Sequence, residues 1–138
     1  MRVYIDGIFD LFHRGHLESL KKEKNSYENT HLIVGVISDK IAKDYKRAPV
    51  INHQDRLEII KSINIVDEVI IDPPLVITLQ FVEENNIDLV VHGFANDEDW
   101  EKQKDFFKDL VEVNKFKRID YYQKTSTTDI IKKIKDNY

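Results

Sequence analysis

His13 and His16 bracket Gly15 in an H-x-G-H string that closes the segment Asp6-Gly7-Ile8-Phe9-Asp10-Leu11-Phe12-His13-Arg14-Gly15-His16. The segment follows a short apolar run, Val3-Tyr4-Ile5, and opens a helical period. Two imidazoles beside a helix N-terminus offer N–H donors where free amides and the helix dipole already favour an anion. That chemistry is phosphate binding. Gly15 removes a side chain where backbone must approach something closely. Spacing alone leaves two other readings open: half of a metal site, and no ligand at all. The chain has zero Cys, so no thiolate can complete a zinc site, although carboxylates could.

Other residues with chemical potential lie further along. Lys43, Lys46 and Arg47 form a basic stretch, which for lysines in general reads as a solvated loop. Ser126-Thr127-Thr128 opens the last helical period, with Ser126 or Thr127 as its N-cap. Such a cap also turns hydroxyls and amides toward a phosphate. His92 ends an apolar run, at the strand edge where ligands bind. His31 reads as a surface residue and His53 as a helix cap.

Elements must position these groups. Three apolar runs read as buried strands: Val3 to Ile5, Leu32 to Ile37, and Leu89 to Val91. A fourth, Val66 to Ile71, is interrupted by Asp67 and Glu68. Helical periods separate them, through Leu17 and Leu20, Leu57 and Ile60, and Leu79 and Val82. The last helix is expected from about Ser126 to Lys135, with Ile130, Ile131 and Ile134 facing inward. Strands alternating with helices predict an α/β fold, a Rossmann-like parallel sheet of about five strands with helices on both faces. Such sheets bind ligands beyond the carboxyl ends of their strands, where strand order reverses.

The chain has 138 residues, which suits a single domain over 1–138. It carries 21 Lys+Arg against 25 Asp+Glu, a net charge of −4, which argues against a nucleic-acid binder. That balance is uneven: residues 40–61 hold six Lys or Arg against three acids, and residues 83–112 hold three against ten. No apolar run reaches the roughly 20 residues a membrane helix needs, and no secretory leader is visible at the N-terminus. A cytoplasmic protein is the expectation.

The motifs, in their order, resemble the cytidylyltransferase family of the H-x-G-H nucleotidyltransferase superfamily, whose members make CDP-choline, CDP-ethanolamine and CDP-glycerol. The segment Asp6 to His16 carries most of the likeness. Leu32 to Asp39, Val50 to Arg56, Val66 to Val69 and Ser126 to Ile130 extend it over nearly the whole chain. The resemblance implies transfer of CMP from CTP to a small alcohol phosphate; the triphosphate chemistry of that reaction adds Mg²⁺ as expected cofactor, since no dedicated protein metal cage is visible in the sequence. The resemblance also implies catalytic roles for His13, His16 and Lys46. CTP contacts are implied for Gly7, Ile8, Phe9, Gly15, Arg56, Ser126, Thr127 and Thr128; for the alcohol phosphate, a primary ammonium wants carboxylates, which makes Asp10 and Asp97 candidates, and His92 is a candidate from its place at the ligand-binding strand edge. The resemblance further implies a homodimer. The long membrane-binding helix of regulated choline enzymes is not seen in this sequence.

The sequence also departs from the family. Tyr121 and Lys124 stand where the signature R-T-x-G-(I/V)-S-T-T has its arginine and glycine, and Thr125 replaces the Ile or Val. Lys124 or Arg118 is a possible substitute cation, and weak turnover or nucleotide binding without turnover is the alternative. Leu75 aligns with the aromatic residue of the choline and ethanolamine enzymes. His92-Gly93 is similar to ethanolamine enzymes, and Asp99-Trp100-Glu101 to glycerol-phosphate enzymes. Phosphoethanolamine is therefore the expected substrate, ahead of phosphocholine and glycerol 3-phosphate. Asp99 is a further candidate for an ammonium, whereas Trp100 reads first as packing.

Overall fold

A computed structural model describes residues 1–122 and 124–138. In chain order the elements are β1 (Arg2–Gly7), α1 (Arg14–Asn25), β2 (His31–Val36), α2 (Asp39–Tyr45), α3 (His53–Lys61), β3 (Glu68–Ile70) and α4 (Leu79–Glu84). Then follow β4 (Leu89–Phe94), α5 (Asp97–Gln103), a 3-10 turn (Lys104–Phe107), α6 (Lys108–Val111), β5 (Phe116–Asp120) and α7 (Thr127–Asn137). The strands form one five-stranded sheet in the order β3-β2-β1-β4-β5. Every pairing is parallel, as expected for an α/β Rossmann-like sheet.

Side chains alternate across the sheet, so each strand feeds two cores. Val3, Ile5, Leu32, Val34 and Val91 point to one face, where Leu20 of α1 and Leu57 and Ile60 of α3 cover them. Tyr4, Ile33 and Val90 point to the other, under Val82 of α4, Phe107 and Leu110 of α6. Burial on both faces explains why the central strands lack a polar alternation.

Three sequence expectations change. The fifth strand, Phe116–Asp120, contains Lys117, Arg118 and Asp120 and so does not read as an apolar run. It lies at the sheet edge, where polar residues are accommodated and discourage further pairing. The fourth run shrinks to Glu68–Ile70, also an edge, because Asp67 turns its carboxylate back to Leu32 N and Lys24. The last helix begins after its Ser126 cap as expected, but its apolar stripe is not buried. Ile130 and Ile131 are only half-buried, and Ile134 is 49% exposed.

Candidate active site

A cleft of about 710 Å³ opens at the carboxyl ends of β1 and β4, the point where strand order reverses. The β1–α1 loop forms its floor. Phe9 and Leu11 both adopt left-handed backbone, with φ of 56° and 49°, a conformation that costs a side-chain-bearing residue energy. Buried groups hold that loop. Asp10, 5% exposed, accepts hydrogen bonds from Val50 N at 2.8 Å and Ile51 N at 2.9 Å. Arg56 is wholly buried, and its Nη1 donates to Ile8 O at 2.6 Å and Ile37 O at 2.8 Å. Its Nε donates to Ile51 O and its Nη2 to Asp39 Oδ1.

The H-x-G-H histidines cap α1 reciprocally. His13 Nδ1 accepts from Gly15 N at 3.0 Å, and His16 Nδ1 accepts from His13 N at 3.2 Å. A backbone N–H can only donate, so both rings in their neutral form carry the proton on Nε2. The two rings stack with centroids 3.9 Å apart. Burial, together with the neighbouring His13 and Lys46, lowers the His16 pKa from 6.5 to about 3. Burial lowers that of His13 as well. Near neutrality the pair therefore supplies N–H dipoles rather than charge. His13 Nε2 donates to Thr127 Oγ1 at 3.2 Å, and that hydroxyl donates to Asp10 O at 3.1 Å. Gly15 is required by packing: a Cβ there would stand 2.8 Å from Thr125 O.

The opposite wall is α7. Ser126 caps it by accepting from Asp129 N at 3.1 Å. Ser126, Thr127 and Thr128 all line the cleft, as do Lys46 and Arg47 from the segment after α2. Desolvation by the cleft walls and the charge of Arg47 lower the Lys46 pKa. Arg47 Nη1 donates to Thr128 Oγ1 at 3.2 Å. At the third side, His92 Nδ1 meets Asp6 Oδ1 at 2.6 Å, which leaves Nε2 for a ligand. Tyr45, Asp99, Phe106, Tyr121 and Tyr122 complete an aromatic and acidic wall. Burial raises the Tyr45 pKa. Burial and the carboxylates of Asp99 and Asp6 push Tyr121 up to about 12, so both phenols stay neutral.

The structure thus brings together Gly7, Ile8, Phe9, Asp10, His13, Gly15, His16, Lys46, His92 and the Ser126–Thr128 turn. Two expected contacts fall elsewhere. Arg56 lies beneath the cleft, its guanidinium spent on three carbonyls and Asp39, because a buried cation must satisfy its donors internally. Asp97 turns outward, its side chain 94% exposed, and pairs with Arg118 at 2.9 Å. Asp99, two residues on, lines the cleft, with Oδ2 accepting from Ala95 N at 3.0 Å and Oδ1 from Gln103 Nε2 at 2.6 Å. Asp10 lines the cleft with both oxygens already on backbone amides, which suits a loop anchor better than an ammonium ligand.

Other residues resolve simply. His53 is the first residue of α3 and its Nε2 donates to Val36 O, while Asn52 makes the cap. His31 is a half-exposed partner of Glu68, as a surface residue should be. Trp100 packs against Phe94 and Phe116. Arg118 is held by Asp97 and lies over Phe94 and Trp100, so it does not replace a phosphate-binding cation. Neither it nor exposed Lys124 lines the cleft. Sequence reasoning passed over Tyr45, Phe106 and Tyr122, whose only signal was their place beside the basic segment and the last helix, and it read Arg47 as part of a solvated basic loop, whereas it lines the cleft.

A family model described as cytidylyltransferase-like matches residues 4–133. Choline-phosphate cytidylyltransferase 2 of Arabidopsis thaliana is 37% identical over 139 residues, covering 100% of this chain and 46% of that protein. Choline-phosphate cytidylyltransferase A of Homo sapiens is 38% identical over 140 residues, 100% of this chain and 37% of that one. Ethanolamine-phosphate cytidylyltransferase of Mus musculus is 31% identical, over 95% of this chain and 32% of its own length. The chain therefore spans less than half the length of these curated relatives. Among solved structures, a lipopolysaccharide core biosynthesis protein from Thermoplasma volcanium GSS1 is similar with a TM-score of 0.69 and 25% identity, covering 89% of this chain and 98% of that one.

Proposed function

Because this chain belongs to the cytidylyltransferase-like family, we propose that it transfers CMP from CTP to a small ammonium-bearing alcohol phosphate, releasing pyrophosphate. The observation that carries the reading is the reciprocal histidine cap, which turns two neutral imidazoles into Nε2–H donors at the switch point of a parallel sheet. In the reaction a phosphomonoester oxygen attacks the α-phosphorus of CTP. A new P–O bond forms as the bond to the β-phosphate oxygen breaks. The attacker is already anionic, so the residues need only align the groups and stabilise developing charge.

In this reading His13 and His16 donate to the oxygens that gain charge. Lys46 bridges the two phosphate-bearing substrates. Gly7, Ile8, Phe9 and Gly15 let backbone approach the nucleotide, and the Ser126–Thr128 turn receives the phosphates. Arg56 and Asp10 act through the loops they hold. Among the described residues no three His, Cys, Asp or Glu form a ready metal cluster. Mg²⁺ suits this donor set only as a companion of the triphosphate, since it binds one or two carboxylates plus phosphates and water. Asp129, a cleft-lining carboxylate, would be its protein ligand, and the ion would neutralise phosphate charge.

For the alcohol, sequence reasoning put phosphoethanolamine first. The weight now moves to phosphocholine. Neutral phenols of Tyr45 and Tyr121, with Tyr122, Phe106 and Asp99, make a wall of aromatic faces and one carboxylate. Quaternary ammonium groups favour that surroundings. The 37–38% identity to choline-phosphate enzymes, against 31% to the ethanolamine-phosphate enzyme, agrees in direction. The second reading, nucleotide binding without efficient turnover, is favoured by one observation: Tyr121 is uncharged where the family signature has arginine.

Pyrophosphate release from CTP or ATP, assayed with phosphocholine, phosphoethanolamine and glycerol 3-phosphate, tests these assignments. CTP with phosphocholine should be fastest, and His16→Ala should lower kcat by about 100- to 1000-fold. A preference for ATP would remove the cytidylyl assignment. CTP binding with no pyrophosphate release would establish the second reading.

A further inference from the structure

The cleft poses a problem of charge. A nucleoside triphosphate brings about four negative charges, yet the histidines that face it are neutral near pH 7. Lys46, Arg47 and Lys102 are the described cations that line the cleft. Lys102 is paired with Glu98 at 3.5 Å. Arg56 and Arg118 are committed elsewhere. Among the described residues, Lys46 and Arg47 are then the cleft cations without an ion-pair partner.

Arg47 has the more telling position. Its guanidinium crosses the cleft mouth from the α2–α3 segment to the first turn of α7, where Nη1 reaches Thr128 Oγ1 at 3.2 Å. These residues are 81 apart in sequence. The hydroxyl is a weak neutral acceptor, and one hydrogen bond leaves most of a planar five-donor fork uncommitted. Phosphate oxygens are the better partner for such a fork. Tyr121 lies on the far wall, with its ring so close to Gly93 that a Cβ there would stand 2.6 Å from it.

We infer that Arg47 straps the nucleotide into the cleft, its guanidinium moving from Thr128 Oγ1 onto the phosphates and supplying from the α2–α3 segment the charge that Tyr121 does not supply. The inference rests on the reading that this cleft takes CTP. It adds a phosphate-binding residue on a different element from the histidines, the α7 turn and the signature position.

Binding can be measured apart from turnover, by titrating CTP and cytidine into the wild type, Arg47→Ala, Arg47→Lys and the double variant Arg47→Ala/Tyr121→Arg. Arg47→Ala should weaken CTP by about 10- to 100-fold and leave cytidine, which has no phosphate, unchanged. Arg47→Lys should recover only part, because a point charge lacks the fork. Tyr121→Arg in the Ala background should regain about 10-fold, an outcome that mere repair of folding would not give. CTP affinity within about two-fold of wild type in Arg47→Ala overturns the strap, as does an equal loss for cytidine. A wild type that binds CTP but releases no pyrophosphate overturns the proposed reaction alone, and the strap is then decided by the Arg47 titrations. A wild type that binds no CTP overturns both.

Discussion

His16 carries its proton on Nε2 because its Nδ1 is already occupied by His13 N, and this local fact has a global consequence. The folded ring holds a pKa of about 3 against an ordinary value of 6.5, so acid protonates the unfolded chain first. The contribution of His16 to stability is therefore complete above about pH 6.5 and is lost progressively as pH falls toward 3. His13 acts in the same direction. Thermal unfolding at pH 7, 6 and 5 should show a falling Tm, and His16→Asn should flatten that slope. An identical slope in the variant would show that the ring is protonated at its ordinary value. The H-x-G-H spacing pointed first to phosphate binding and left a metal half-site and no ligand open. It could not announce the tautomer, which depends on each ring accepting from a backbone amide.

At the scale of elements, α1 and β5 meet at an uncomfortable contact. Glu23 of α1 is fully buried and, among the described residues, neither carboxylate oxygen has a hydrogen-bond partner, although Lys117 of β5 approaches to 3.6 Å. Burying a carboxylate without hydrogen bonds costs stability, and the half-exposed Lys117 can turn to water if its partner is removed. Glu23→Leu should raise stability by about 1–2 kcal/mol, read as a higher denaturant midpoint with an unchanged slope. A fall in the midpoint would mean that the Lys117 attraction outweighs desolvation. Helical periodicity could not foresee this residue, since Glu23 reads as the polar side of α1. The same limit explains β5 and Arg56. Continuously apolar strands were legible because both of their faces are buried. An edge strand with Lys117 and Arg118 was not, and an arginine beside a polar run looks like a ligand-binding group until its three carbonyl acceptors are seen.

Across the whole molecule, the carboxyl edge of the sheet gathers charge from distant segments, which the net value of −4 conceals. Lys46 and Arg47 belong to the basic stretch, and Glu98 and Asp99 to the acidic one, yet they line one cleft. Sequence arithmetic located both regions; only the topology joins them. Several apolar side chains remain uncovered, with Val50 at 64%, Ile71 at 54% and Val76 at 49% exposure. Exposed apolar residues taken singly are ordinary, so the expected homodimer rests on the family resemblance and is tested in solution. Light scattering should then return twice the 16.3 kDa of one chain, and a monomer at micromolar concentration would rule the dimer out.

The hydrogen bonds from His13 to Thr127 and from Thr127 to Asp10 link residues 114 and 117 positions apart. During synthesis, at about 5–20 residues per second, β1 and the histidine loop leave the ribosome several seconds before α7 exists. In that interval β1, β2 and β4 can begin to pair while the loop has no opposite wall and no hydroxyl to receive His13. A nascent chain stopped short of Thr127 would therefore hold all five strands and only part of the cleft wall. The α7 turn is the part whose arrival closes the cleft opposite the histidine loop.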